Sequence, residues 1–191
     1  MADHITKMQK LHSTFKYPIA MYSILACLYV AAKPGKYIWF SFHPIAMIIG
    51  FVALAGNAIL LKKIGGYENT KTHGLLFSIA IAVAAFGWFV IYSNKEMAGK
   101  EHLTTTHSQL GMAVLLGYLG LGLFGGVALH PDWGALKTNQ QLRTVHKWAG
   151  RVMTAGSWYV CVLGFASMRV EMWQQLVAGV PLLVFGFYFL L

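Results

Sequence analysis

Six apolar stretches of about twenty residues follow one another along the chain, separated by short polar turns. They cover roughly 14–32, 39–61, 72–93, 105–129, 145–168 and 172–191. Apolar runs of this length predict membrane-spanning helices, because in lipid each segment has to pair its own backbone polar groups. The breaks carry residues that end helices. Lys33-Pro34-Gly35-Lys36 follows the first stretch, Gly65-Gly66 the second, a mixed-charge run from Asn94 to Thr104 the third, and Pro131-Asp132-Trp133-Gly134 the fourth. Arg169, Val170 and Glu171 form a tight link between the last two. Short connections make successive helices antiparallel neighbours. The expected fold is all-α, a six-helix transmembrane bundle built as a single domain over 1–191. Before it, residues 1–13 read as an interfacial N-terminal segment. Ile5, Met8, Leu11 and then Phe15 recur at helical spacing with lysines between them, as in a short helix lying on the membrane or a frayed tail.

Composition agrees: 57% of residues are hydrophobic and 11% charged, where a soluble domain carries about 25% charged residues. The net charge of +9 does not indicate a nucleic-acid partner, because the basic residues are scattered through short loops. Lys7, Lys10, Lys16, Lys62, Lys63, Lys71, Lys137, Arg143, Lys147 and Arg151 fall on the side of the N-terminus. Lys33, Lys36, Lys95, Lys100 and Arg169 fall on the other. The positive-inside rule then places both termini on the cytoplasmic or matrix-equivalent side of a multi-pass membrane protein. Trp39, Tyr92, Trp133 and Trp173 stand near span ends, where aromatic belts contact headgroups. No cleavable signal peptide or transit peptide is expected at the N-terminus. Cys27 and Cys161 lie inside spans and read as small apolar residues.

The chemistry is carried by histidine. His43, His73, His107 and His146 open four successive apolar stretches, at intervals of 30, 34 and 39 residues. An ionisable residue inside a bilayer is expensive and marks function. The second and fourth helices enter from the side opposite the N-terminus, so His43 and His107 share one depth. The third and fifth enter from the N-terminal side, so His73 and His146 share the other. A rise of about 1.5 Å per residue puts the two levels about 20–25 Å apart. Beneath the histidines, Gly50, Gly87, Gly111 and Gly150 fall on or near the same helix faces. They suit either a flat ligand or close helix packing. His130, in His130-Pro131, competes for the inner level, while His4 and His12 read as solvated.

Two histidines at each level, without a nearby cysteine or carboxylate pair, do not make a zinc site, which gathers four ligands or three plus water. Two axial imidazoles do complete a haem iron, leaving no open position and favouring electron transfer. The reading is therefore two haem sites, one at His43 with His107 and one at His73 with His146.

The segments Phe42-His43-Pro44, His73-Gly74, Thr106-His107-Ser108-Gln109-Leu110-Gly111 and His146-Lys147-Trp148-Ala149-Gly150-Arg151 resemble the cytochrome b-561 family. The stretch from Asn94 to Leu103 is most similar to the branch called cytochrome b-561 domain-containing proteins. This resemblance covers roughly 39–165. It implies two haem b groups held in the central four helices with the same pairing, and single-electron transfer across a membrane. Ascorbate would be the donor on the N-terminal side, and monodehydroascorbate or ferric iron the acceptor on the other. Lys71 matches a family position linked to ascorbate, and Arg143, Lys147 and Arg151 are candidates there by charge. At the outer end Thr105 and Thr106 stand where the family leads one to expect an arginine, and His102 is the substitute candidate. Besides ascorbate, an acceptor and membrane lipids, the partners left open are a second copy of the chain and a larger membrane complex. In the second case the chain would be a haem-bearing accessory subunit. A histidine relay without haem would need acidic residues within the spans. Only Asn57 is strongly polar at mid-span.

Overall fold

The computed structural model describes residues 2–168 and 171–190, so Arg169 and Val170 in the last link lie outside the described residues. Six helices make up the regular structure: α1 (Ala2–Ala32), α2 (Trp39–Ile64), α3 (Tyr67–Met97), α4 (Thr106–Ala128), α5 (Gln140–Ser167) and α6 (Met172–Leu190). The first element differs from expectation. The N-terminal segment is no separate surface helix but runs unbroken into α1, through Pro18. Its apolar side packs on the bundle: Leu11 and Phe15 lie against the core, and Phe15 meets Phe185 of α6 edge-on at 6.0 Å. Lys7 and Lys10 stay exposed on the opposite side.

Local sequence explains the helix starts. At α4, Thr105 Oγ1 accepts from the Ser108 amide at 3.2 Å, and Ser108 Oγ accepts from the Thr105 amide at 3.0 Å. The two residues thus satisfy each other's orphan donors. Asn139 Oδ1 accepts from the Leu142 amide at 3.1 Å and caps α5. Between α2 and α3 the chain reverses through Gly65 and Gly66 at φ 82° and 88°, a backbone region that side chains disfavour.

Four helices are long and apolar enough to cross a membrane: Thr6–Ala32, Trp39–Ile64, Tyr67–Met97 and Thr106–Ala128. The protein is thus an integral, multi-pass membrane protein. Of the two other expected spans, α5 has 28 residues but carries Arg143, Lys147 and Arg151 in its first half. The apolar helix Met172–Phe187 is shorter than the four. Large apolar side chains point outward, Leu116 and Leu123 of α4 being 58% and 59% exposed, as lipid-facing positions should be.

α2, α3, α4 and α5 close a ring, each packing on the next and α5 returning to the middle of α2; α1 and α6 flank it. Lipid supplies little hydrophobic drive between helices, so small residues that let backbones approach carry this packing. Ala55, Ala80 and Ala84 are buried inside the ring. A Cβ on Gly50 would lie 2.9 Å from the Ala80 carbonyl, and one on Gly87 would lie 3.0 Å from the Ala46 Cβ. These two glycines serve the α2–α3 contact. The middle of α2, Ile48–Leu54, is wound as a wider π-helix. There the Phe51 carbonyl accepts the indole N–H of the buried Trp158 from α5 at 2.8 Å. Helix α2 is thereby pinned across the ring at the point where π-turns commonly mark functional sites.

Candidate functional site: four histidines in the helix ring

The structure brings His43 and His107 together: their ring centres are 6.3 Å apart and the rings stand at 86° to each other. A metal–imidazole bond of about 2 Å, plus about 1.1 Å from nitrogen to ring centre, taken twice, gives about 6 Å. The observed spacing leaves room for one metal ion between the two imidazoles. A cavity of about 390 Å³ opens around the pair, lined among others by Met47, Phe51, Gly111, Met112 and Phe165. Its walls are mostly apolar, with Lys95, His102, Thr105, Ser108 and Ser167 as polar contributors.

Each ring of this pair is oriented by the backbone of a neighbouring helix. His43 Nδ1 donates to the Gly87 carbonyl at 2.9 Å, and His107 Nδ1 donates to the Val160 carbonyl at 3.1 Å. His73 Nδ1 likewise donates to the Ala58 carbonyl at 3.0 Å. A carbonyl can only accept, so the proton sits on Nδ1 and Nε2 keeps its lone pair for a metal. Such a bond fixes the ring and raises the basicity of the free nitrogen, as partners of metal-bound histidines do. His146 breaks the pattern. Among the described residues, its Nδ1 is the buried side-chain nitrogen or oxygen without a hydrogen-bond partner. An unmet buried polar atom costs about 1–3 kcal/mol.

His73 and His146 lie close enough to interact electrostatically, and Lys62 bears on both. His73 packs on Phe77 at 5.7 Å, and His146 on Phe124 at 6.3 Å. Phe77 then stacks on the buried Tyr118 at 4.9 Å, and Tyr118 meets Phe51 at 5.1 Å. Phe51 lines the cavity at the other histidine pair. The Tyr118 hydroxyl donates to Thr154 Oγ1 at 3.1 Å and lies 3.2 Å from Ser157 Oγ. An aromatic column therefore fills the ring between the two levels, with its polar atom satisfied.

The competing sequence candidates are accounted for. His130 stacks on Trp133 with ring centres 3.3 Å apart, and its Nδ1 accepts from the Asp132 amide at 3.2 Å. It is committed to its loop. Asn57 Nδ2 donates to the Ala53 carbonyl of its own helix at 2.7 Å, which leaves it a poor relay. Both cysteines are free thiols. His102 Nε2 bonds Glu96 Oε1 at 2.7 Å and its ring stacks on Tyr92 at 4.6 Å. Lys71 Nζ pairs with Asp132 Oδ2 at 3.2 Å, and Arg143 Nη1 donates to the Lys137 carbonyl at 2.9 Å.

Lys62 and two further glycines escaped the sequence reading. A Cβ on Gly164 would lie 3.1 Å from His107 Cε1, and one on Gly125 would lie 2.9 Å from His146 Cε1. Gly150, by contrast, faces open space. The signal was available: Gly125 is 18 residues after His107 and Gly164 is 18 after His146. Eighteen residues are about five helical turns, so each glycine shares its histidine's face at the other end of the helix. In antiparallel neighbours it then faces the other helix's histidine.

A family model for eukaryotic cytochrome b561 matches residues 42–172, which include all four histidines. The chain belongs to the cytochrome b561 family. It is 29% identical over 164 residues to the transmembrane reductase CYB561D2 of Mus musculus, covering 70% of this chain and 73% of that one. It is 30% identical over 130 residues to the transmembrane ascorbate-dependent reductase CYB561 of Sus scrofa, covering 65% and 51%. It is also 30% identical over 88 residues to the ascorbate-specific transmembrane electron transporter 1 of Zea mays, covering 44% and 37%. Membership of the cytochrome b561 family implies haem cofactors. The ring spacing, the Nδ1 bonds, the apolar cavity and the orphaned His146 nitrogen all fit them. One consequence concerns the missed glycines. Gly125→Leu should push the His146 ring aside and lower the haem content of purified protein. Gly126→Leu, where nothing lies within 4 Å, should leave it unchanged. Equal haem content in both variants, by extracted-haem assay, would contradict the role of Gly125.

Proposed function

We propose that this chain carries single electrons across a membrane through two b-type haems, one held by His43 and His107 and one by His73 and His146. The donor is ascorbate on the N-terminal side, and the acceptor is monodehydroascorbate or a ferric chelate on the other. The observation that carries this reading is the matched His43–His107 pair, with 6.3 Å between rings and each Nδ1 given to a carbonyl. A haem held by two histidines would supply a one-electron relay. The chain's own residues do the rest. The Nδ1 bonds hold the rings so that no side-chain rearrangement accompanies a change of charge. Phe77, Tyr118 and Phe51 exclude water from the space between the levels. All six helices cross the membrane as one domain, α5 with its apolar half in the lipid, and both termini face the cytoplasmic or matrix-equivalent side.

The donor side follows from charge. Lys62, Lys71 and Arg143 gather near the His73 level, where cations draw in an anionic reductant and pair with haem carboxylates. The names of the pig and maize relatives support ascorbate as that reductant. On the acceptor side, His102 and Lys95 line the cavity. Protein purified with its haem should give a reduced b-type spectrum within the mixing time of millimolar ascorbate. Reduction by dithionite but not by ascorbate would contradict the donor.

One observation favours a second reading, a haem-bearing subunit that hands electrons to another chain. Thr105 is used to cap α4, so the outer mouth lacks a fixed cation at the place where the resemblance leads one to expect arginine. Gentle solubilisation from native membranes and sizing decides between them.

A further inference from the structure

The loop between α4 and α5 reaches back to the start of α3 through one carboxylate. Asp132 Oδ2 lies 3.2 Å from Lys71 Nζ, and Asp132 Oδ1 accepts the Tyr67 hydroxyl. Lys71 also donates to that hydroxyl at 3.4 Å and lies over the Tyr67 ring at 5.0 Å. The loop holds the carboxylate in place. Lys137 Nζ donates to the Asp132 carbonyl at 2.8 Å, the Asp132 amide donates to His130, and Trp133 Nε1 donates to the Gly126 carbonyl at 2.9 Å. The Tyr67 hydrogen bond, with help from the charge of Lys71, holds the Asp132 carboxyl below the usual carboxylate range, so it stays ionised.

The pair is open to water: the side chains of Lys71 and Asp132 are 41% and 33% exposed. An exposed pair is weak and exchanges readily with other ions. An anionic donor that uses Lys71 therefore meets a lysine already occupied by a carboxylate of the same sign as itself.

We propose that Asp132 is an internal competitor for the donor anion, a specificity residue that sits on Lys71, clamped by Tyr67, and has to be displaced before an anionic reductant can pair with that lysine. This rests on the reading above, in which an anionic reductant enters at the His73 level. Asp132 acts through Lys71 and touches no reacting atom; it is a positioning residue. The arrangement makes the site respond to donor charge: removing the carboxylate helps anions and does nothing for neutral reductants. Tyr67 keeps the competitor in place, so its loss acts in the same direction and more weakly.

The test is the concentration dependence of haem reduction in detergent-purified, haem-loaded protein. Ascorbate is compared with the neutral donor duroquinol, for wild type, Asp132→Asn and Tyr67→Phe. The weakness of exposed pairs sets the scale. Asp132→Asn should lower the ascorbate concentration for half-maximal rate about two- to fivefold, with the plateau rate and the duroquinol curve unchanged. Tyr67→Phe should shift it the same way by less, and it carries the test if Asp132→Asn fails to bind haem. In a Lys71→Gln background Asp132→Asn should give no gain, since neighbouring residues that share one interaction are not additive. A readout independent of turnover is amide exchange. Ascorbate should speed exchange of the Asp132 and Trp133 amides in wild type as the carboxylate leaves Lys71. An unchanged or weakened ascorbate dependence in both variants, or a gain that persists in Lys71→Gln, overturns the inference. So does loop exchange that ignores ascorbate. If wild type is not reduced by ascorbate at all, the donor assignment fails together with this inference. If it is reduced and the variants match it, this inference fails alone.

Discussion

Replacing His43 by alanine should leave one haem per chain, against the two proposed for the wild type. His43 faces His107 at 6.3 Å, and its Nδ1 is tied to the Gly87 carbonyl. Truncation removes the imidazole that would hold the haem and opens the wall of the cavity that Phe51 and Met112 line. The His73–His146 level lies at the other end of the helix ring, separated by the Phe77–Tyr118–Phe51 column. Changes so far apart that share no partner act independently, so the second haem should stay, with its spectrum intact and ascorbate still reducing it. Extracted haem per chain, read beside the reduced spectrum, checks this. Two haems in His43→Ala would contradict the assignment, and none would mean that the two sites fold as one.

Replacing His73 by alanine will have the opposite signature. The lost haem is the one at the level of Lys62, Lys71 and Arg143, where the donor is proposed to enter. The remaining haem, the one assigned by proposal to His43 and His107, should then be reducible by dithionite while ascorbate reduction falls to background. The asymmetry between the two variants follows from charge. Lys62, Lys71 and Arg143 make three cations at the proposed entry, whereas the His43 cavity is lined by one lysine, Lys95, and by His102, which pairs with Glu96. Stopped-flow absorbance with each reductant separates the cases. Equal loss of ascorbate reduction in His43→Ala and His73→Ala would reverse or erase the proposed sidedness.

The sequence exposes helices and histidines for physical reasons. A bilayer demands long apolar runs, and an imidazole in such a run stands out. Alternating helix direction then leaves one way to pair four histidines by depth, and the structure does bring His43 to His107 at close range. What the sequence hides is backbone. The acceptors for His43, His73 and His107 are the carbonyls of Gly87, Ala58 and Val160, groups every residue carries and no spacing rule singles out. The π-wound centre of α2 receives a hydrogen bond from Trp158, 107 residues away from Phe51. The helical spacing of the N-terminal segment is legible, but its continuity with α1 through Pro18 goes with packing of Leu11 and Phe15 on the bundle, a tertiary contact that local sequence does not name. Asp132 looked like an ordinary turn residue. Its place on Lys71 needs the α4–α5 loop folded back over the start of α3, which local sequence does not encode. Gly125 and Gly164 were legible in principle through their five-turn distance from His107 and His146, a period longer than the face-by-face pattern used to read the helices.

The central claim, that two histidine pairs each hold one haem, is tested most directly by haem content in paired substitutions. His43→Ala with His107→Ala removes both ligands of one site and should leave one haem per chain. His43→Ala with His73→Ala removes one ligand from each site and should leave none. One haem in the second variant, or none in the first, would contradict the pairing.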